Sequence, residues 1–151
     1  MTELYFEDFH PGQSFDSVYS YRVTASEIKQ FGQRYDPQPF HLDEAAGRST
    51  FFHGLAASGW LTASIAMRLR VQLLNVAGGM IGAGVEQMRW TKPVRPDDSI
   101  RIKLDVESVR PSARRPSLGV VRTHTTVFNQ HDEIVMHCDV SFLAPLKDSL
   151  S

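Results

Sequence analysis

Between the turn signal Pro11-Gly12 and Thr24, the residues Phe15, Tyr19, Tyr21 and Val23 fall on one face of an extended chain, with Asp16, Ser20 and Arg22 on the other. This period of two predicts a half-buried strand. Thr24-Ala25-Ser26-Glu27 then has the form of a capping box, and Ile28, Phe31 and Tyr35 follow at helical spacing. The helix they predict should end near Tyr35, because Pro37 disfavours the α conformation at Asp36. With Pro39 removing a further backbone donor, the segment Asp36 to His41 is expected to be a stiff, extended loop. From Leu55 to Leu74 the chain is almost wholly apolar or small, broken by Arg68, Arg70, Gln72 and a few hydroxyls, and it contains no carboxylate. That pattern predicts a helix buried on most sides. It is long enough to span a bilayer, but the arginines and hydroxyls favour a core helix. Beyond Gly78-Gly79 come further period-two runs: Ile100, Ile102, Leu104 and Val106 alternate with Arg101, Lys103, Asp105 and Glu107, followed by Gly119 to Asn129 and Ile134 to Phe142. The connections are too short for crossover helices, so an antiparallel meander is expected.

One strand, a short helix, a long buried helix and about four antiparallel strands imply an α+β chain, with a curved antiparallel sheet wrapped around one long central helix. A length of 151 residues fits a single domain over residues 1–151, and no repeat or linker divides it. With 42% apolar and 22% charged residues, the composition is that of a folded globular chain. Sixteen basic against seventeen acidic residues leave a formal charge of -1, which offers no positive field for nucleic acid or an anionic membrane. Cys138 stands alone, so an intrachain disulfide and a thiolate metal site are both excluded. The N-terminus has neither the basic start nor the apolar run of a signal peptide, and with the single cysteine this points to the cytoplasm.

The candidate chemistry lies in Asp36-Pro37-Gln38-Pro39-Phe40-His41. A carboxylate five residues before an imidazole, on a chain stiffened by two prolines, could hold and activate a water molecule. The alternatives are that Asp36 caps a turn and that His41 is a hydrogen-bonded packing residue. Some twenty residues on, Ala57-Ser58-Gly59-Trp60 opens the buried helix, where free backbone N–H groups could polarise a carbonyl oxygen. Ser64 could point into the same cavity, or serve close packing. The other histidines, at 10, 53, 124, 131 and 137, show no ligand spacing, so no metal site is expected. Arg110, Arg114 and Arg115 suit phosphate geometry, although a solvated loop is the better reading of that turn.

The segment Asp36 to Asp43 resembles the Asp-x-Asn-Pro-x-His-x-Asp motif of the MaoC-like dehydratases, a hot-dog family that includes the (R)-specific enoyl-CoA hydratases. Tyr5 to Gly12 is similar to the family's opening, Phe52 to Trp60 to the start of its central helix, and Pro93-Val94-Arg95-Pro96-Asp97-Asp98 to its Pro-Val-x-Pro-Gly-Asp turn. The resemblance covers nearly the whole chain. It departs from the pattern at Gln38, where many members have asparagine, at Ser58, where the best-known hydratases have histidine, and at His53 and Asp97, which replace glycines.

What the resemblance implies is a reversible hydration of a trans-2-enoyl-CoA, or dehydration of a 3-hydroxyacyl thioester. Asp36 and His41 would activate water for syn addition, with Ser64 and Gln38 supporting the site and the backbone N–H near Gly59 as oxyanion donor. Ser58, Trp60 and Phe52 would meet the substrate. No cofactor is implied beyond coenzyme A as part of the substrate. A homodimer, or a higher homo-oligomer, is expected because hot-dog sheets leave exposed edges. A non-catalytic acyl-thioester binding or structural subunit is the alternative. A hot-dog thioesterase is less attractive, because such enzymes commonly carry a carboxylate on the central helix and Leu55 to Leu74 has none.

Overall fold

The computed structural model describes residues 1–149. Among the described residues, four α-helices and six strands follow one another as β1 (Ser14–Asp16), β2 (Tyr21–Arg22), α1 (Ala25–Tyr35), α2 (Pro39–Leu42), α3 (Glu44–Gly47), α4 (Gly59–Leu73), β3 (Ile81–Trp90), β4 (Ser99–Pro111), β5 (Leu118–Phe128) and β6 (Ile134–Pro145). Every strand pair is antiparallel, and the sheet order is β1-β4-β5-β6-β3 with β2 also on β4.

The alternation read from β4 holds: Ile100, Ile102, Leu104 and Val106 are buried, as are Val121, Thr123, Thr125 and Val127 on β5. This concave face wraps Leu61, Ile65, Ala66 and Leu69 of α4, forming one apolar core that Val23 and Ile28 close from the side. The result is the hot-dog arrangement, a curved antiparallel sheet around one long helix. Thr24 caps α1, its Oγ1 accepting from the Glu27 N–H at 3.1 Å. The Glu27 carboxylate completes no box; it accepts from the Tyr21 hydroxyl at 2.8 Å instead.

Three expectations need correction. The strand predicted from Phe15 to Val23 is two short strands. Asp16 pairs with Lys103 and Tyr21 with Ile100, so the first chain has two residues more than its partner and must loop them out, leaving Tyr19 exposed. The three predicted runs do form an antiparallel meander, β4-β5-β6, and β3, which no run predicted, joins its far edge by pairing with β6. The long helix begins at Gly59, and Leu55 to Ser58 is a buried extended approach to it. Nor is α4 buried on most sides: Trp60, Ser64, Met67 and Val71 form an exposed stripe, beside a strand β3 whose residues are also mostly exposed.

Candidate active site

Asp36 and His41 meet because Pro39 begins a helix where an extended loop was expected. Proline lacks only an N–H that the first helical position cannot use, and its fixed φ suits that position. Gln38 is the N-cap and Pro39 the first residue of the single turn α2, which swings His41 inward until it is 5% exposed. There Nδ1 of His41 lies 2.6 Å from the carbonyl oxygen of Ala56. A carbonyl only accepts, so this bond assigns the ring proton to Nδ1 and leaves Nε2 as the working nitrogen. Nε2 is 3.2 Å from Oδ2 of Asp36.

The carboxylate of Asp36 is held on both oxygens. Gln38 Nε2 donates to Oδ1 at 2.6 Å, and Ser58 Oγ donates to Oδ2 at 2.7 Å. Burial pushes the Asp36 carboxyl up, but the bonds from Gln38 and Ser58 and the attraction of His41 outweigh it, and the net value lies below the ordinary carboxylate range. Ser58 also caps α4, its Oγ accepting from the Trp60 N–H at 3.3 Å. Arg95 braces the segment carrying Ala56 and Ser58, donating to the carbonyls of Leu55, at 3.2 Å, and Phe52.

Asp36, Gln38 and His41 line one side of a cavity of about 540 Å³. Phe40, Phe51 and Phe52 form an aromatic wall, with Phe40 edge-on to His41 at 4.6 Å between ring centroids. Opposite stand Gly59 and two tryptophans, Trp60 and Trp90, edge-on to each other at 5.3 Å. Trp90 Nε1 donates to the Gly59 carbonyl at 2.8 Å. Gly59 opens α4, so its own N–H is among those a helix leaves without an internal acceptor.

Asp36, His41, Gln38, Gly59, Trp60 and Phe52 therefore converge on this cavity. Ser58 does not line it; fully buried, it reaches the site through Asp36. Ser64 lies elsewhere. Five residues beyond Gly59 it is turned about 140° around the helix, where its Oγ donates to the Trp60 carbonyl at 2.7 Å and it lines a second cavity. Sequence patterning gave no role to the Ala56 carbonyl, Arg95 or Trp90; Ala56 and Arg95 lay in segments already marked by the resemblance, and Trp90 did not. Arg110, Arg114 and Arg115 are exposed and stay outside the cavity lining. Glu107, His124 and Asp139 do gather on the outer face of the sheet, but Arg122 is ion-paired there with Glu107 and Asp139 at 3.0 and 3.2 Å.

The family described as MaoC like domain matches residues 8–128. The chain belongs to the MaoC-like dehydratase family. The chain is 32% identical over 139 residues to the uncharacterized protein YdeM of Bacillus subtilis (strain 168), covering 91% of this chain and 96% of that one. The MaoC-like dehydratase from Rhodospirillum rubrum superposes with a TM-score of 0.89 at 42% identity, covering 95% of this chain and 98% of the other. R-Hydratase PhaJ1 from Pseudomonas aeruginosa superposes at 0.79 with 25% identity, covering 96% and 88%. Membership in the MaoC-like dehydratases supports a hydratase or dehydratase activity in general. Asp97, at the position where the family pattern has glycine, has the left-handed φ of 70° that glycine adopts freely. No helix among the described residues is long and apolar enough to cross a membrane.

Proposed function

We propose that the chain adds water across the double bond of a trans-2-enoyl thioester, or removes it from the 3-hydroxyacyl thioester, on Asp36 and His41. The observation that carries this is the convergence of Nε2 of His41 and Oδ2 of Asp36, 3.2 Å apart, on the wall of an aromatic cavity beside the first turn of α4. Asp36 is ionised and Nε2 carries a lone pair, so the two are acceptors for both protons of one water. Its oxygen lone pair is then free to face C3 of the substrate. As the C–O bond forms, one proton passes to this pair and is delivered to C2, so that H and OH add in balance. The Gly59 N–H meets the thioester oxygen as enolate charge develops. Ser58 and Gln38 hold the Asp36 carboxylate, while Trp60 and Phe52 flank the acyl group. The step uses no metal or redox group, and coenzyme A enters as part of the substrate.

The same reading includes a homodimer. Strand β3 is a long sheet edge with Ile81 and Val85 half exposed, and it lies beside the exposed apolar stripe Trp60, Met67 and Val71 of α4. An uncovered apolar edge of this length invites a second copy. Trp60 and Trp90 belong to these elements, so the cavity would lie close to the subunit boundary.

The test follows the loss of enoyl absorbance with crotonyl-CoA and longer 2-enoyl-CoAs, for wild type, Asp36→Asn and His41→Ala. Turnover by wild type and a loss of about 10² to 10⁴ or more in both folded variants is expected. Tight acyl-CoA binding without turnover by wild type would instead make this an acyl-thioester binding subunit.

A further inference from the structure

The guanidinium of Arg70 is buried with no carboxylate partner among the described residues. Arg70 is 3% exposed, and among the described residues no carboxylate lies within ion-pair distance of it. Its Nη2 donates to Oγ1 of Thr125 at 2.6 Å and its Nη1 to the soft Sδ of Met67 at 3.7 Å, the neutral thiol of Cys138 lies beside it, and Nε has no hydrogen-bond partner among the described residues. A guanidinium has five donors and keeps its charge in proteins. A buried cation without a counter-charge is costly, so an anion that reached it would recover part of that cost.

Arg70 is in the lining of the second cavity, about 410 Å³, between α4 and strands β3 and β6. The rest of that lining is largely apolar, with Met67, Met88, Met136 and Val140 among it. Trp60 lines both this cavity and the one holding Asp36 and His41, so the two spaces adjoin at its indole, which is 61% exposed. Two spaces that meet at Trp60, one with the reacting pair and the other largely apolar with a buried cation in its lining, are the complement of an acyl chain that ends in an anion.

We propose that the substrate carries a carboxylate at the far end of its acyl chain, and that Arg70 binds it. This rests on the thioester hydration proposed above and names its substrate class: an ω-carboxy-2-enoyl thioester. The helix sets the length. From Gly59 to Arg70 it rises about 16 Å, and the Arg70 side chain reaches back one turn to Met67. A separation of roughly 11 Å remains by the same helical geometry, which asks for several methylene groups between the double bond and the carboxylate.

The experiment compares 2-octenoyl-CoA with 2-octenedioyl-CoA, terminal carboxylate free, on wild type, Arg70→Met and Arg70→Lys. Wild type is expected to favour the diacid in kcat/KM by tenfold or more, expressed in KM. Arg70→Met should reverse the preference without lowering kcat for the monoacid, and Arg70→Lys should keep part of it. Arg70→Met should also melt at a higher temperature than wild type without ligand, since it removes the unpaired charge. Calorimetric binding of saturated octanoyl-CoA and its ω-carboxy analogue reads the same preference without chemistry. Equal binding and equal turnover of both chains by wild type would overturn the role of Arg70 and leave the hydratase standing. Preference for the diacid in binding, with no turnover of either enoyl chain, would keep Arg70 and sink the hydratase. Dissociation of a dimer by Arg70→Met with no change in preference would assign the charge to a partner subunit's carboxylate and overturn the proposal.

Discussion

A Cβ placed on Gly32 would lie 2.5 Å from the carbonyl oxygen of His41 and 3.0 Å from its Cβ. Helix α1 thus touches the backbone of α2 directly, and the position of the imidazole is set by the absence of a side chain nine residues before it. The obstructing atoms are mostly backbone, so Gly32→Ala must displace α2. A shift of an ångström at a reacting group can cost about 10² in rate, while overpacking of this kind costs about 1 to 3 kcal/mol. The expected outcome is a fall in kcat of ten- to a hundredfold with little change in KM, and a lower denaturant midpoint. Unchanged kcat in the folded variant would show that His41 does not depend on this contact.

Ser58→Ala and Gln38→Ala each remove a hydrogen bond that stabilises the ionised form of Asp36. Each should therefore raise the Asp36 pKa and move the acid limb of kcat/KM to higher pH. At neutral pH Asp36 remains ionised, so the loss there is one of orientation, about tenfold for a bond to a charged group. The effect on stability follows the same sign. In wild type the folded value lies below the ordinary one, so its contribution is complete above pH of about 4 and disappears as pH falls through the depressed folded value. Both variants should lose less stability than wild type over that acid window. Acid limbs that coincide with wild type would exclude Asp36 as the group titrating there.

Sequence patterning reaches the framework of this fold and stops where side chains lose their alternation. Strands β4, β5 and β6 have one face on the core and one in solvent, and their period of two is plain. Strand β3 went unrecognised: most of its residues are exposed, Gly82 and Gly84 interrupt it, and two register shifts break its ladder. The pair Asp36 and His41 was legible because both prolines lie between its members, but Pro39 was read as a helix breaker although it starts one. Ser64 shows the limit in phase: a serine assigned by helical spacing together with the resemblance lines the second cavity, while Ser58, one residue before the helix, makes the bond to Asp36. Trp90 reaches the site only through β3, and nothing local to it announces the contact with Gly59.

The dimer is tested at Ile81, a half-exposed residue on the free edge strand, which pairs with Leu143 of β6 through its backbone. Ile81→Lys leaves that ladder intact and puts a charge on the edge, a device natural sheets use to block edge pairing. Light scattering should give a dimer for wild type and a monomer for the variant, with the same circular dichroism. Turnover should fall with dissociation because Trp60 and Trp90 flank both the edge and the cavity. A wild-type protein that is monomeric at micromolar concentration would rule out the dimer.

Gly59 and Trp90 form a lock whose parts can be exchanged. A Cβ at position 59 would lie 2.5 Å from Cε2 and 2.6 Å from Nε1 of Trp90, so Gly59→Ala must expel the indole and break its bond to the Gly59 carbonyl. The first turn of α4 would then be free to tilt, and with it the N–H proposed to meet the thioester oxygen. Removing one such donor costs about 10² to 10³ in kcat, and Gly59→Ala should approach that loss while its tryptophan emission moves to longer wavelength. Trp90→Leu removes the obstruction but also the hydrogen bond, so alone it should cost less, about tenfold. Residues in direct contact do not act independently. Once leucine occupies position 90, alanine at 59 has room, and the double variant should be more active than Gly59→Ala alone. Strict additivity of the two losses would mean that Trp90 does not position Gly59 and only fills the cavity wall.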